Sequence, residues 1–198
     1  MKHILLLAML LLWGSASASE EMTVYELIES DEYFSKFEGS CPTEYISARD
    51  VEARNVVEYC KSNEQECFNK CKSKDPSYCY SLAKIYQSKG DDGVASSLFA
   101  ASCIQGVVSG CTNRAAAMNQ FEPERTDCYI ETFKLTCARS DAWGCTMYGF
   151  IFATGEGAEV DVAKAKKYLE LGCMNGVEDK ACRSAKALSA ILESQGKE

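Results

Sequence analysis

The chain has 198 residues, with 21 basic and 29 acidic side chains, twelve cysteines, one histidine and a formal charge of −8. That charge disfavours nucleic acid and anionic membrane surfaces as partners. A basic protein or peptide suits it better, although charge acts mainly on solubility and association rate.

The first residues read as an export signal. Lys2 supplies a positive start, and Ile4 to Trp13 is an apolar run too short to span a bilayer. Ala16-Ser17-Ala18 offers small residues for cleavage. Residues 1–18 are therefore expected to be a signal peptide cleaved after Ala18, with Ala16 the second choice. No cysteine precedes Cys41, which argues against a lipoprotein anchor. No later stretch is long and apolar enough for membrane insertion. The mature chain is expected to be periplasmic or secreted, and keeps 20 basic against 29 acidic residues, a net of −9. Cleavage also removes His3, and with it Ser-His-Asp and Cys-His catalysis and every histidine-ligated metal site.

An exported chain meets oxidising conditions, where twelve cysteines are an even disulfide count. No Cys-x-x-Cys occurs, which argues against a thioredoxin-like site. Cys60, Cys67, Cys71 and Cys79 could be read as a zinc set, but export favours disulfides. Cys41-Pro42 resembles a haem-regulatory dipeptide and lacks a histidine to complete it. Neither metal nor cofactor is expected.

Residues 19–66 are expected to form an acidic helical cap. Val24, Leu27, Ile28 and Phe34 give the stretch from Met22 to Phe37 an apolar series, and residues 44–60 also read as helix. From residue 67 to 198 the cysteines set the pattern. Cys71–Cys79, Cys103–Cys111 and Cys137–Cys145 enclose seven residues each, and Cys173–Cys182 encloses eight. Their first members lie 32, 34 and 36 residues apart. A period near 34 is that of a helix–turn–helix repeat, which is stable only when stacked.

The helices follow from this register. Leu82, Ala83, Ile85 and Tyr86 follow Cys79 at the same offsets as Tyr148, Gly149, Ile151 and Phe152 follow Cys145, one face of a helix. Ala115 fills the small-residue slot after Cys111, and Lys186 stands there after Cys182, where that face should be less buried. Four residues before the first cysteines of the later pairs stand Phe99, Phe133 and Leu169, and eight before them Ala95, Tyr129 and Ala165, the stripe of the second helix. Turns fall at Lys89-Gly90-Asp91-Asp92-Gly93, Phe121-Glu122-Pro123-Glu124 and Thr154-Gly155-Glu156-Gly157. Gly155 and Gly157 suit a left-handed helix end, Asp161 an N-cap, and Gly106 and Gly176 are placed to stop helices.

The expected fold is all-α: a right-handed α-solenoid of about four antiparallel helix pairs and a C-terminal half-repeat, with a disulfide at each joint. A bridge closing so short a loop is worth about 2.5 kcal/mol, and four give an upper bound of about 10 kcal/mol. Cys41, Cys60, Cys67 and Cys128 remain, with three possible connectivities. Cys60 is expected to take Cys41 or Cys67, and Cys128, lacking a local partner, is read as a free buried thiol.

The last full repeat, Gly155-x-Gly157-x-x-x-Asp161-x-x-Lys164-Ala165-x-x-Tyr168-x-x-x-x-Cys173, resembles the Sel-like repeat, a relative of the tetratricopeptide repeat. With the cysteine spacing it is similar to the disulfide-rich branch that includes the secreted Helicobacter cysteine-rich proteins and a Sel-like mitochondrial cytochrome c oxidase assembly factor. Cys67-x3-Cys71-x7-Cys79, enclosing Lys74-Asp75-Pro76, looks particularly like the start of the latter. The stretch at 111–137 departs from the pattern, with Pro123 and no Gly-x-Gly. The resemblance implies a solenoid that holds a protein or peptide. For the secreted branch it also implies penicillin binding and weak β-lactam hydrolysis.

A hydrolase without histidine needs another activated serine, and Ser81-Leu82-Ala83-Lys84 places a hydroxyl and an amine on one helical face. No Ser-Asp-Asn or Lys-Thr-Gly accompanies it, and Ser194-Gln195-Gly196-Lys197 shows how unspecific the match is. The bland reading makes Ser81 and Lys84 part of a solvent-facing helix surface. Tyr80, Trp143 and Tyr148, with Tyr78, flank the joints and could anchor a peptide; as repeat core they need no such role. Asp91-Asp92 and Glu122-Glu124 could grip a basic partner or be solvated turns. Gly155-x-Gly157 lacks the third glycine and the strand of a phosphate loop. The leading expectation is a monomeric, non-catalytic protein- or peptide-binding scaffold. A serine-type β-lactam-binding protein is the alternative, and a redox-linked assembly factor comes third.

Overall fold

The computed structural model describes residues 22–121 and 123–195. The expected signal peptide and its cleavage site, His3, Glu122, and the Gly196-Lys197 end of the second Ser-x-x-Lys match lie outside these. The described residues are all-helical, with six disulfides.

Two short helices come first among the described residues, α1 (Val24–Ser30) and α2 (Glu32–Ser35), separated at Asp31, which caps α2 by accepting from the Tyr33 amide. A 3-10 turn follows at Pro42–Glu44. The next helices are α3 (Val57–Ser62), α4 (Glu64–Lys72), α5 (Pro76–Lys89), α6 (Asp92–Ile104) and α7 (Val108–Phe121). A second 3-10 turn at Pro123–Arg125 leads to α8 (Thr126–Ala138), α9 (Ala142–Thr154), α10 (Val162–Leu171) and α11 (Lys180–Gln195).

Aspartates open most of the longer helices. Asp75, Asp91, Asp141 and Asp161 accept from the Ser77, Val94, Gly144 and Lys164 amides, each supplying a partner to an otherwise orphaned N–H. Gly90 and Gly155 end α5 and α9 in the left-handed conformation. From α4 to α11 each helix packs on the next in chain order, and α9 also touches α7 and α11. Helices joined by connections as short as Gly90-Asp91 and packed side by side run antiparallel.

The apolar stripes are largely buried, with Tyr148 and Phe152 on α9 only half-buried. Leu82, Ala83, Ile85 and Tyr86 are buried on α5, and so are Phe99, Phe133 and Leu169 with Ala95, Tyr129 and Ala165 on the second helices. Gly149 is small because α10 crosses it: a Cβ there would lie 2.9 Å from Leu169 Cγ. Lys186 is exposed.

One backbone turn recurs at the joints. Lys74, Gly106, Ser140 and Gly176, each three residues past a cysteine, all have positive φ. In the first three turns the next amide reaches back around the helix end: Asp75 to Lys70 O, Val107 to Ser102 O and Asp141 to Thr136 O, at 3.0–3.1 Å. This is the Schellman arrangement, which satisfies carbonyls the helix leaves open. It turns the chain sharply enough to set Cys71 against Cys79, Cys103 against Cys111, Cys137 against Cys145 and Cys173 against Cys182.

The N-terminal region differs from its expected form. Residues 45–56 are not helical. The Val51, Arg54 and Val56 amides are committed to Gly106, Ser77 and Ser81, which breaks the helical i→i−4 ladder across this stretch. Cys128 is not a free thiol: it is bonded to Cys41, 87 residues away, and Cys60 is bonded to Cys67. All twelve cysteines are thus paired. Both bridges join residues before 66 to residues after it.

In the chain-entropy treatment a loop of 87 residues makes this bridge worth about 4–5 kcal/mol, against about 2.5 kcal/mol for a joint bridge. Replacing Cys41 and Cys128 together by alanine should therefore cost about 2 kcal/mol more, in chemical denaturation, than replacing Cys173 and Cys182. A smaller loss at the long bridge would contradict this assignment of the stabilising link.

Candidate functional site

Residues 47–56 form a strap that crosses three joints in reverse chain order. At the α8–α9 joint Arg139 donates to the Ser47 carbonyl at 2.7 Å and pairs with the Asp50 carboxylate. At the α6–α7 joint the Val51 amide donates to Gly106 O at 2.8 Å. At the α4–α5 joint the Arg54 amide donates to Ser77 Oγ at 3.1 Å, and the Arg54 side chain pairs with Asp75 at 2.6 Å. One turn along α5, the Val56 amide donates to Ser81 Oγ at 3.3 Å. Val51 and Arg54 are three positions apart, a reach of about 10 Å when extended, which matches the separation of packed helices.

Gly106 has a specific task in this seat. A Cβ there would lie 2.7 Å from Arg49 O and 2.9 Å from Val51 Cγ2, and φ is +105°. Gly176 has the equivalent backbone at the fourth joint, with nothing within 4 Å of its position. The glycine signal thus has two physical causes at the second joint and one at the fourth.

Beside the strap runs a trough. Its wider part, about 530 Å³, lies between strap residues 50–53 and the helix starts carrying Val108, Ser109 and Asp141. A narrower part, about 250 Å³, is lined by Asn55, Val57, Ser81 and Lys84. Tyr80 and Ala53 line both. The Tyr80 ring packs on Phe99, with centroids 5.7 Å apart, and its hydroxyl accepts from Asn113 at 3.4 Å. Burial, with the Asp141 charge second, pushes this phenol up to about 12, so it stays protonated. Asp141 is buried and fully engaged: Ser109, Thr112 and the Gly144 amide all donate to it, tying α7 to the start of α9.

The predicted site residues do not converge. Ser81 is 1% exposed rather than solvent-facing, because the strap covers it and occupies its hydroxyl. Lys84 lines the same narrow cavity, but its amine donates to Gln87 at 3.0 Å. Burial, and then the Lys180 charge, pull the Lys84 pKa below the usual lysine value. Of the three aromatic anchors only Tyr80 lines the trough. Trp143 is 37% exposed near the start of α9. Tyr148 lies five residues further on, about 140° around the helix at 3.6 residues per turn, edge-on to Tyr168 and Phe152. Tyr78 is buried, with Lys70 donating to its hydroxyl. Asp91 caps α6 through one carboxylate oxygen, and Glu124 is exposed.

Reasoning from the sequence missed Ser47, Arg54, Ser77 and Arg139, the residues that hold the strap. Among the described residues no group of histidine, cysteine, aspartate or glutamate is arranged to hold a metal ion, and no helix is long and apolar enough to cross a membrane. The chain matches no family model, and comparison with curated proteins and with solved structures finds no match either.

Gly106→Ala should cost about 2–3 kcal/mol, from left-handed strain together with displacement of the strap, and Gly176→Ala about 1 kcal/mol from strain alone. Guanidinium denaturation of the two variants measures the difference. Equal losses would contradict the seating of residues 49–51 on the second joint.

Proposed function

We propose that this chain is an exported, non-catalytic scaffold that holds an extended segment of another protein along the joints of a Sel-like α-solenoid. The observation that carries this reading is the strap. The joint surface already grips one irregular segment by two of the means an extended peptide offers, backbone N–H groups and alternating charges. The trough alongside leaves room for a second chain between the strap and the first turns of α7 and α9. Helix-on-next-helix packing and the recurrent joint turn support the solenoid reading. Six disulfides fit an oxidising compartment.

The negative charge of the chain favours a basic partner. Glu52 is exposed at the trough and carries no ion pair among the described residues, so it can meet a lysine or arginine. The engaged state of Ser81 favours scaffold over serine hydrolase, because a nucleophile must reach its substrate. Full pairing of the cysteines likewise leaves no thiolate to attack a partner's disulfide.

The test is to make the surface bind its own strap from outside. In a variant with residues 48–55 replaced by glycine and serine, the Cys41–Cys128 and Cys60–Cys67 bridges still hold the flanks. A labelled peptide of residues 46–56 should bind this variant, and a scrambled peptide should bind at least tenfold more weakly by fluorescence anisotropy. Equal binding of the two peptides, or none, would remove the basis for a peptide-holding surface.

A further inference from the structure

The joints and their trough leave one buried charge without a role. Arg114, on α7, is 7% exposed. One terminal nitrogen of its guanidinium donates to Ser96 Oγ on α6 and the other to the Phe37 carbonyl, the latter at 2.9 Å. Its Nε has no partner, and no carboxylate forms an ion pair with it among the described residues. The Tyr45 hydroxyl is buried beside the same guanidinium. A cation withdrawn from water with only neutral acceptors is an expensive arrangement, and an anion supplied from outside would relieve it.

Arg114 and Ser96 line a cavity of about 520 Å³ beneath α1 and α2. The other lining groups differ in depth and sign. Arg114 and Ser96 are buried at the floor, whereas Tyr25, Glu29 and Glu38 are exposed and form the mouth, with Asp91 half-buried beside them. Glu29 accepts from the Tyr25 hydroxyl and Asp91 from the Val94 amide, and each carboxylate keeps a second oxygen to offer. A plain anion drawn to the floor would be repelled at the mouth, and a plain cation drawn to the mouth would be repelled by the floor. A molecule that carries both charges meets neither penalty.

We propose that this cavity binds a small zwitterion, a free amino acid or a dipeptide, with its carboxylate on Arg114 and its ammonium among Glu29, Glu38 and Asp91. The carboxylate takes terminal guanidinium hydrogens beyond those given to Ser96 and the Phe37 carbonyl, where Arg114 lines the cavity, and Ser96 is positioned to share it. The site uses none of the residues that seat the strap, so it stands or falls independently of the trough.

Calorimetric titration of the whole oxidised protein tests this, with alanine and dialanine as probes and with acetate, methylamine, N-acetylalanine and alanine amide as their single-charge counterparts. At least one zwitterion should bind no less than tenfold more tightly than every single-charge compound, and the tighter of the two identifies the natural length. Glu29→Gln with Glu38→Gln, both at exposed positions, should weaken that binding at least fivefold while the melting temperature is kept. Arg114→Lys should weaken it further if the variant folds, and the glutamine pair serves as the test if it does not. Acetate binding as tightly as alanine, or no effect of the glutamine pair, would overturn the proposal in favour of a simple anion site. No heat with any probe would overturn it too, leaving Arg114 as a tie between residue 37 and α6.

Discussion

A helix pair of about 34 residues cannot cover its own apolar face, so a stack of such pairs is only as firm as the junctions between them. Here each junction is secured within itself, by a left-handed turn and a disulfide, and three are secured again by one strap laid across them. Cys41–Cys128 holds the start of that strap, and α3, with its bridge to α4, holds the end. The strap makes distant junctions depend on one another: Arg139 on the third and Ser77 on the first are both bonded to the same ten residues. Nearest-neighbour stacking alone would not give that coupling.

The strap also decides what the surface can do chemically. Ser81 and Lys84 share a helical face, as their spacing requires, yet the hydroxyl is committed to the Val56 amide and the amine to Gln87. The Ser81 contact belongs to the strap and shows a backbone amide of an irregular segment held by a helix side chain, whereas the Lys84 contact lies within α5 itself. The binding proposed for the junction surface and the engagement of the Ser81 hydroxyl both rest on this one feature.

Much of the helical register was legible because it is local. A period near 34 and a seven-residue cysteine interval place α5 to α10, and the stripes through Phe99, Phe133 and Leu169 follow from 3.6-residue periodicity. What failed depends on partners remote in sequence. Residues 44–60 have enough helix-compatible side chains to be read as helix, but before α3 the Val51, Arg54 and Val56 amides are claimed by Gly106, Ser77 and Ser81. Cys128 looks unpaired because its partner is 87 residues away. Ser81 reads as solvent-facing from its helical register alone, and the segment that buries it lies 25 residues earlier in the chain. Lys74 and Ser140 adopt the same left-handed turn as Gly106 and Gly176, and neither residue type announces it.

Hydrogen exchange of the intact, oxidised protein tests the seating of the strap most directly. The amides of Val51, Arg54 and Val56 should exchange slowly, with protection approaching that of α5 and α7, while those of Glu52 and Ala53, for which no acceptor is found among the described residues, should exchange quickly. Uniformly fast exchange across residues 47–56 would mean that the segment does not lie on the joints, and the account of both the junctions and the binding surface would fail with it.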